Sequence, residues 1–340
     1  MLRLLPAALL LAGCASGAAP LAPAPEAPVP ARTSGDCDDP RPLTDAETAA
    51  EARCALASGE SPDVRDALGI PALHRLAEQA APEAVQALLD AGADPGARDG
   101  EDATALHAAA AADRAGTVHV LLAAGAEVDA RNGSGETPLL RAAGSGGTAA
   151  LTALVEAGAD LEARDSTFTA NAAMHHAARA ESPAAMRVLA EAGADVDQRA
   201  GEDGDAMTAL MQAAGFGARG PETIRTLLDL GASVTATDSG GGTALHWAAR
   251  WDNAETARLL LASGADPDAV SSQFGYTPLH TAFLFSTEAA LVPVLLRAGA
   301  DPRAVTADGR TVLQTAEEMV DSEYADQAAA LAALRRALGE

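Results

Sequence analysis

A four-residue signature recurs eight times along the chain, and a repeat of this regularity constrains the fold more tightly than any other feature of the sequence. It reads PALH from Pro71, TALH from Thr104, TPLL from Thr137, AAMH from Ala172, TALM from Thr208, TALH from Thr243, TPLH from Thr277 and TVLQ from Thr311, at spacings of 33, 33, 35, 36, 35, 34 and 34 residues. A glycine-alanine pair answers each of the first seven, beginning at Gly92, Gly125, Gly158, Gly193, Gly231, Gly264 and Gly299. Threonine followed by proline caps a helix and presets its first turn, while the glycine supplies the left-handed residue that ends a second helix. Between them lie Leu88 and Leu89, Leu121 and Leu122, Leu227 and Leu228, and Leu295 and Leu296, with Val85, Val118, Ile224 and Val292 one turn earlier. This spacing predicts a core stripe. One unit cannot bury such a stripe alone, so neighbours must stack into a solenoid with capped ends.

These residues resemble the ankyrin repeat, whose T-P-L-H-x-A-A and L-L-x-x-G-A-D motifs they nearly spell out over about four-fifths of the chain. The resemblance implies an all-α solenoid of paired antiparallel helices joined by β-hairpin-like loops, with repeats over about 65–310 of a folded domain spanning 37–340. Thr44-Asp45-Ala46-Glu47 reads as a capping box opening a cap helix over 44–58. The last unit lacks the glycine-alanine ending and continues as an alanine-rich helix to Leu338, a C-terminal cap over 311–340. Pro71 and Ala172 stand where threonine is usual, which weakens the helix cap at those two units. His74, His107, His175, His246 and His280 share the slot three residues after the signature start. In ankyrin repeats that histidine bonds to the backbone of the neighbouring turn.

The chain opens with Arg3 and an apolar run, Leu4–Leu11, too short to span a bilayer. It reads as a signal peptide over 1–13. Leu11-Ala12-Gly13-Cys14 resembles the lipobox of bacterial lipoprotein precursors, which implies acylation (palmitate) of Cys14, an ordinary export signal being the other reading. Ala15 rather than aspartate follows, which implies an outer-membrane anchor facing the periplasm if the host has two membranes. Residues 14–36 are rich in alanine and proline and read as a tether, whose stretch from Ala15 to about Ser34 reaches up to roughly 60 Å at about 3.1 Å per residue. In an oxidising compartment Cys37 and Cys54 are expected to form a disulfide, worth roughly 3 kcal/mol in the chain-entropy model.

Without Arg3 there are 22 arginines, no lysine and 48 acids, a net charge of about −26. Nucleic acid is excluded as a partner, since the phosphate backbone demands a basic footprint. The acidity suits either a basic protein partner or a solubilising surface. No G-x-S-x-G elbow, phosphate-binding glycine loop or H-E-x-x-H helix occurs, so neither an enzyme nor a cofactor is expected. The His175-His176 pair does not share a helix face, which argues against zinc. Glu202, Asp203 and Asp205 miss the EF-hand spacing, so no metal is expected there either.

Eight positions after each signature start the chain carries Gln79, Ala112, Ser145 and Ala180, then Phe216, Trp251, Phe285 and Met319. In ankyrin folds this position lies on the concave face, and Phe274 and Tyr276 in the preceding hairpin point to it as well. Seven of the nine aromatics fall between Phe216 and Phe285, with Trp247 read as a packing residue. A strip of this composition predicts an interface hot spot, unless longer loops fold over it. Arg250, beside Trp251, could add a directional contact. The leading expectation is an envelope-anchored protein-binding module of unknown protein partner, an immunity protein, inhibitor or assembly factor. Its rivals are a component of envelope oxidative-stress defence with an enzymatic or cofactor role, and a structural spacer.

Overall fold

A computed structural model of the protein describes residues 37, 41–201, 206–215, 220–272, 274–285, 290–319 and 325–340. The signal, Cys14 and the tether lie outside the described residues, as do Phe216, Glu202, Asp203 and Asp205. The described elements are helical, with isolated β-bridges in the connecting hairpins.

A 3₁₀ turn at Leu43–Asp45 and helix α1 (Ala49–Ala57) open the array. Inner helices follow from each signature: α2 (Ala72–Gln79), α4 (Ala105–Ala111), α6 (Pro138–Ser145), α8 (Ala173–Arg179), α10 (Ala209–Gly215), α12 (Ala244–Arg250), α14 (Pro278–Phe285) and α16 (Val312–Met319). Outer helices alternate with them: α3 (Pro82–Asp90), α5 (Ala115–Ala123), α7 (Ala149–Glu156), α9 (Pro183–Glu191), α11 (Pro221–Asp229), α13 (Ala254–Ala262), α15 (Val292–Arg297) and α17 (Ala325–Leu338). Inner helices pack on inner, outer on outer, and α17 covers α15 and α16.

The N-terminal cap differs from the sequence expectation. Its capping box is Thr48 with Glu51, not Thr44 with Glu47, and the helix starts at Ala49. Leu43 is fully buried and the 3₁₀ turn packs on α2, so the chain must run extended at Ala46 before it can turn into a helix. Cys37 and Cys54 are joined by a disulfide, with Cα atoms 5.3 Å apart. All seven answering glycines have φ between +80° and +97°, with open space where a Cβ would stand. It is the backbone conformation, not crowding, that calls for glycine there.

The stripe is core on one side only. Val85, Leu88, Val118, Leu121, Ile224, Leu227, Val292 and Leu295 are fully buried, whereas Leu89, Leu122, Leu228 and Leu296 are half-buried. The second leucine of each pair sits about 100° further round the helix, at the margin of the apolar face. Alanines such as Ala72, Ala105, Ala109, Ala142 and Ala177, all fully buried, let inner helices approach closely.

Polar joints repeat between units. The Thr104 and Thr243 N–H groups donate to His107 and His246 Nδ1, each at 3.1 Å. The remaining ring proton is therefore on Nε2, which donates to the next hairpin at Glu136 O (3.0 Å) and Tyr276 O (3.0 Å). His74 and His175 likewise reach Ala103 O and Met207 O. Their Nδ1 atoms, in units that carry Pro71 and Ala172 in place of threonine, have no hydrogen-bond partner among the described residues. On the outer loops a carboxylate of one unit accepts from a backbone N–H of the next: Asp63 from Asp94, Asp129 from Asp160, Glu162 from Asp195, Asp197 from Ser233 and Asp268 from Asp301, at 2.7–3.1 Å.

Burial holds all five slot histidines below the ordinary imidazole value, His175 at about 4. A folded value below the unfolded one means that the unfolded chain binds protons first. Stability from this source is therefore complete above the ordinary imidazole value and is lost as pH falls toward the folded one. The stability advantage of the wild type over His175→Gln should shrink by about 2 kcal/mol from pH 7 to pH 5, as read by urea denaturation; an unchanged difference would refute this account. Leu121→Ala should cost about 2 to 5 kcal/mol and Leu122→Ala clearly less, a contrast that equal shifts in denaturation midpoint would contradict.

Candidate partner-binding face

Three of the residues that the sequence assigns to its apolar strip stand at the ends of inner helices and a fourth in a hairpin, and all four are exposed. Trp251 caps α12, Phe285 ends α14 and Met319 ends α16; they are 53%, 48% and 44% exposed, and Phe274 in the hairpin before α14 is 51% exposed. Each keeps about half its surface in water. Tyr276 is half-buried, with its ring 5.3 Å from Phe274 in a stacked pair and 6.2 Å from His280, and its carbonyl taken by His246. Phe274 is fixed between units, because its carbonyl accepts from Ala307 N at 3.0 Å.

Arg250 joins two units. Its guanidinium lies 4.4 Å from the Phe285 ring centre and 5.7 Å from that of Trp247. Such stacking holds a cation in place while leaving its N–H edges available to a carboxylate or carbonyl. Gly215 leaves room for both indoles: a Cβ there would stand 3.0 Å from Trp247 Cε3 and 3.5 Å from Trp251 Cδ1. Trp247 is half-buried and donates from Nε1 to Asp238 Oδ2 at 2.7 Å.

That contact belongs to a recurring arrangement. Hairpin residues Asp66, Asp99 and Asp238 each accept two turn N–H groups on Oδ1, from the second and fourth residues after them. The residue four positions after the signature start then donates to Oδ2: Arg75 to Asp66 at 2.6 Å and Trp247 to Asp238. In the fourth unit, whose hairpin is longer, His176 Nε2 meets Asp165 Oδ2 at 3.0 Å. Burial pushes the Asp165 carboxyl up, but hydrogen bonds from His176 and Thr167 outweigh it and hold it at about 2. His175 and His176 thus point to separate partners, and among the described residues no cluster of three His, Cys, Asp or Glu side chains is arranged around a metal.

Sequence reasoning missed three features here. Phe168, at a hairpin tip, is 89% exposed; a single loop aromatic has no periodic position to mark it. The Arg250 stacking spans residues 35 apart, and the aspartate pairings at nine residues fall between the helical and strand periods.

The family described as ankyrin repeats (3 copies) matches residues 49–132, 73–165, 111–200 and 174–271. Protein PhlB of Serratia liquefaciens is 41% identical over 121 residues, 36% of this chain and 52% of that protein. Palmitoyltransferase Hip14 of Drosophila melanogaster is 41% identical over 86 residues, 25% of this chain and 13% of that protein, a match confined to ankyrin repeats. The chain therefore spans about half the length of PhlB and far less of Hip14. The crystal structure of the human ASB11 ankyrin repeat domain superposes with a TM-score of 0.58 at 27% identity, covering 68% of this chain and 98% of that one. With its repeats matched from residue 49 to residue 271, the chain belongs to the ankyrin-repeat family.

Proposed function

We propose that this chain grips one protein partner through the inner face of its fifth to eighth units while a lipid on Cys14 anchors it in a bacterial envelope. As an ankyrin-repeat array it is a protein–protein interaction scaffold, a fold that typically does no catalysis. The observation that carries the finer reading is the row of half-exposed Trp251, Phe274, Phe285 and Met319, with Arg250 stacked over Phe285. Large apolar side chains bordered by a fixed cation are the composition of interface hot spots. Phe216, one unit earlier in the same register, would extend the row. Tyr276 supports Phe274 from beneath. A grip on a single partner suits an immunity protein, an inhibitor or an assembly factor.

Anchoring rests on the lipobox-like Leu11–Cys14 and on the tether that follows. Ala15 then directs the chain to an outer membrane facing the periplasm.

Crosslinking from native envelopes should capture one protein with the wild type and lose it with a folded Trp251→Asp, Phe285→Asp variant. The same protein, purified, should then bind the variant at least tenfold more weakly, about 1.4 kcal/mol. Equal capture by both forms would remove the strip from the reading and leave a structural spacer or another face. Separately, Cys14→Ala should move the protein from the membrane to the soluble fraction and abolish labelling with radioactive palmitate; a membrane-bound, labelled Cys14→Ala protein would refute the anchor.

A further inference from the structure

The second unit breaks the hairpin arrangement in a way that leaves a socket. Asp99 accepts Glu101 and Ala103 N–H groups on Oδ1, as Asp66 and Asp238 do in their turns. The residue nine positions on, which supplies the Oδ2 donor in the other two, is Ala108. In its place lies a cavity of about 250 Å³, floored by Ala108, Ala111 and Ala112 and lined by Asp99, Glu78 and Glu101. Arg75 and Arg141 also line it, but each is already paired, with Asp66 at 2.6 Å and Glu136 at 3.3 Å. None of the three lining carboxylates has an ion-pair partner among the described residues. His74, which is 3% exposed and has an unpartnered Nδ1, lines the same cavity.

We propose that this socket receives an arginine side chain from a protein partner, which donates to Asp99 Oδ2 as Arg75 donates to Asp66. Three observations select that occupant. The volume is below the roughly 300 Å³ at which pockets for drug-sized ligands begin, so it suits a single side chain. The lining carries three carboxylates without an ion-pair partner among the described residues, against two arginines already paired with Asp66 and Glu136. The neighbouring unit also shows the finished contact, in which an arginine Nε and Nη2 converge on one carboxylate oxygen at 3.0 and 2.6 Å. The socket is distinct from the aromatic strip and gives the partner a second, charge-selective point of contact.

The test is a titration of the full chain with acetyl-Ala-Arg-Ala-amide, followed by backbone amide NMR, with acetyl-Ala-norleucine-Ala-amide as the uncharged control. Saturable shifts centred on Asp99 and Ala108 are expected, weak in affinity and reduced by added salt as a half-exposed ion pair requires. Ala108→Arg fills the socket from within and should abolish the shifts. Asp99→Asn keeps the turn, because Asn132 accepts Ser134 and Glu136 N–H groups in the same position of the third unit, and should weaken binding at least fivefold. Absent or unsaturable shifts, equal shifts with the norleucine peptide, or shifts that persist in Asp99→Asn would overturn the proposal. Trp251→Asp should leave arginine binding intact, so failure here and failure of the strip are separately visible.

Discussion

An inner-helix histidine in this array holds its own helix start with one ring nitrogen and the next unit's hairpin with the other. His107 and His246 do this in full, with threonine N–H groups on Nδ1 and a neighbour's carbonyl on Nε2. The threonine selects the tautomer, and the tautomer makes the ring a donor across the joint. Hydrophobic burial works beside these bonds and stands in for them in the third and fifth units, where Leu140 and Met211 fill the histidine slot and are fully buried. A fold with one large core could lose such a bond and repack. A stack of thin units meets its neighbours through helix packing and these few polar joints, and has no larger core to fall back on.

The acidity of the chain also looks different once the joints are visible. Asp63, Asp129, Glu162, Asp197 and Asp268 each accept a backbone N–H from the following unit, and Asp66, Asp99, Asp165 and Asp238 close the hairpins. These carboxylates satisfy donors that would otherwise lie unpaired in turns. Part of the formal charge of −25 is therefore the by-product of turn chemistry repeated along the array. Glu78 and Glu101 make no such bond with their carboxylates, which sets the second unit's cavity apart from acidity of structural origin.

The units, their helix caps, the terminating glycines and the histidine slot were legible in the sequence because each answers a local backbone need that recurs at a fixed spacing. The core side of the stripe was legible for Leu88 and Leu121 but overstated for Leu89 and Leu122, which sit at the margin of the apolar face of outer helices packed on one side, whereas the adjacent Leu139 and Leu140 of inner helix α6 are both fully buried. Thr44 was mistaken for the first cap because Thr48 offers the same pattern four residues later, and only the docking of Leu43 decides between them. The exposure of Trp251, Phe285 and Met319 agrees with the position that the ankyrin resemblance implies for that register. Arg250 over Phe285, and Trp247 on Asp238, needed coordinates, because both depend on which side chains neighbouring units lend to each other.

The outer-loop carboxylate joints all run in one direction, from an acid in one unit to a main-chain N–H in the next. The accepting partner is backbone, so it is present whatever side chain the next unit carries. Any unit with the acid can therefore precede any other, and the joint survives the exchange. Such an array can lengthen or shorten by whole units in the course of descent without inventing a new connection, and the face it presents can diverge while its joinery stays the same.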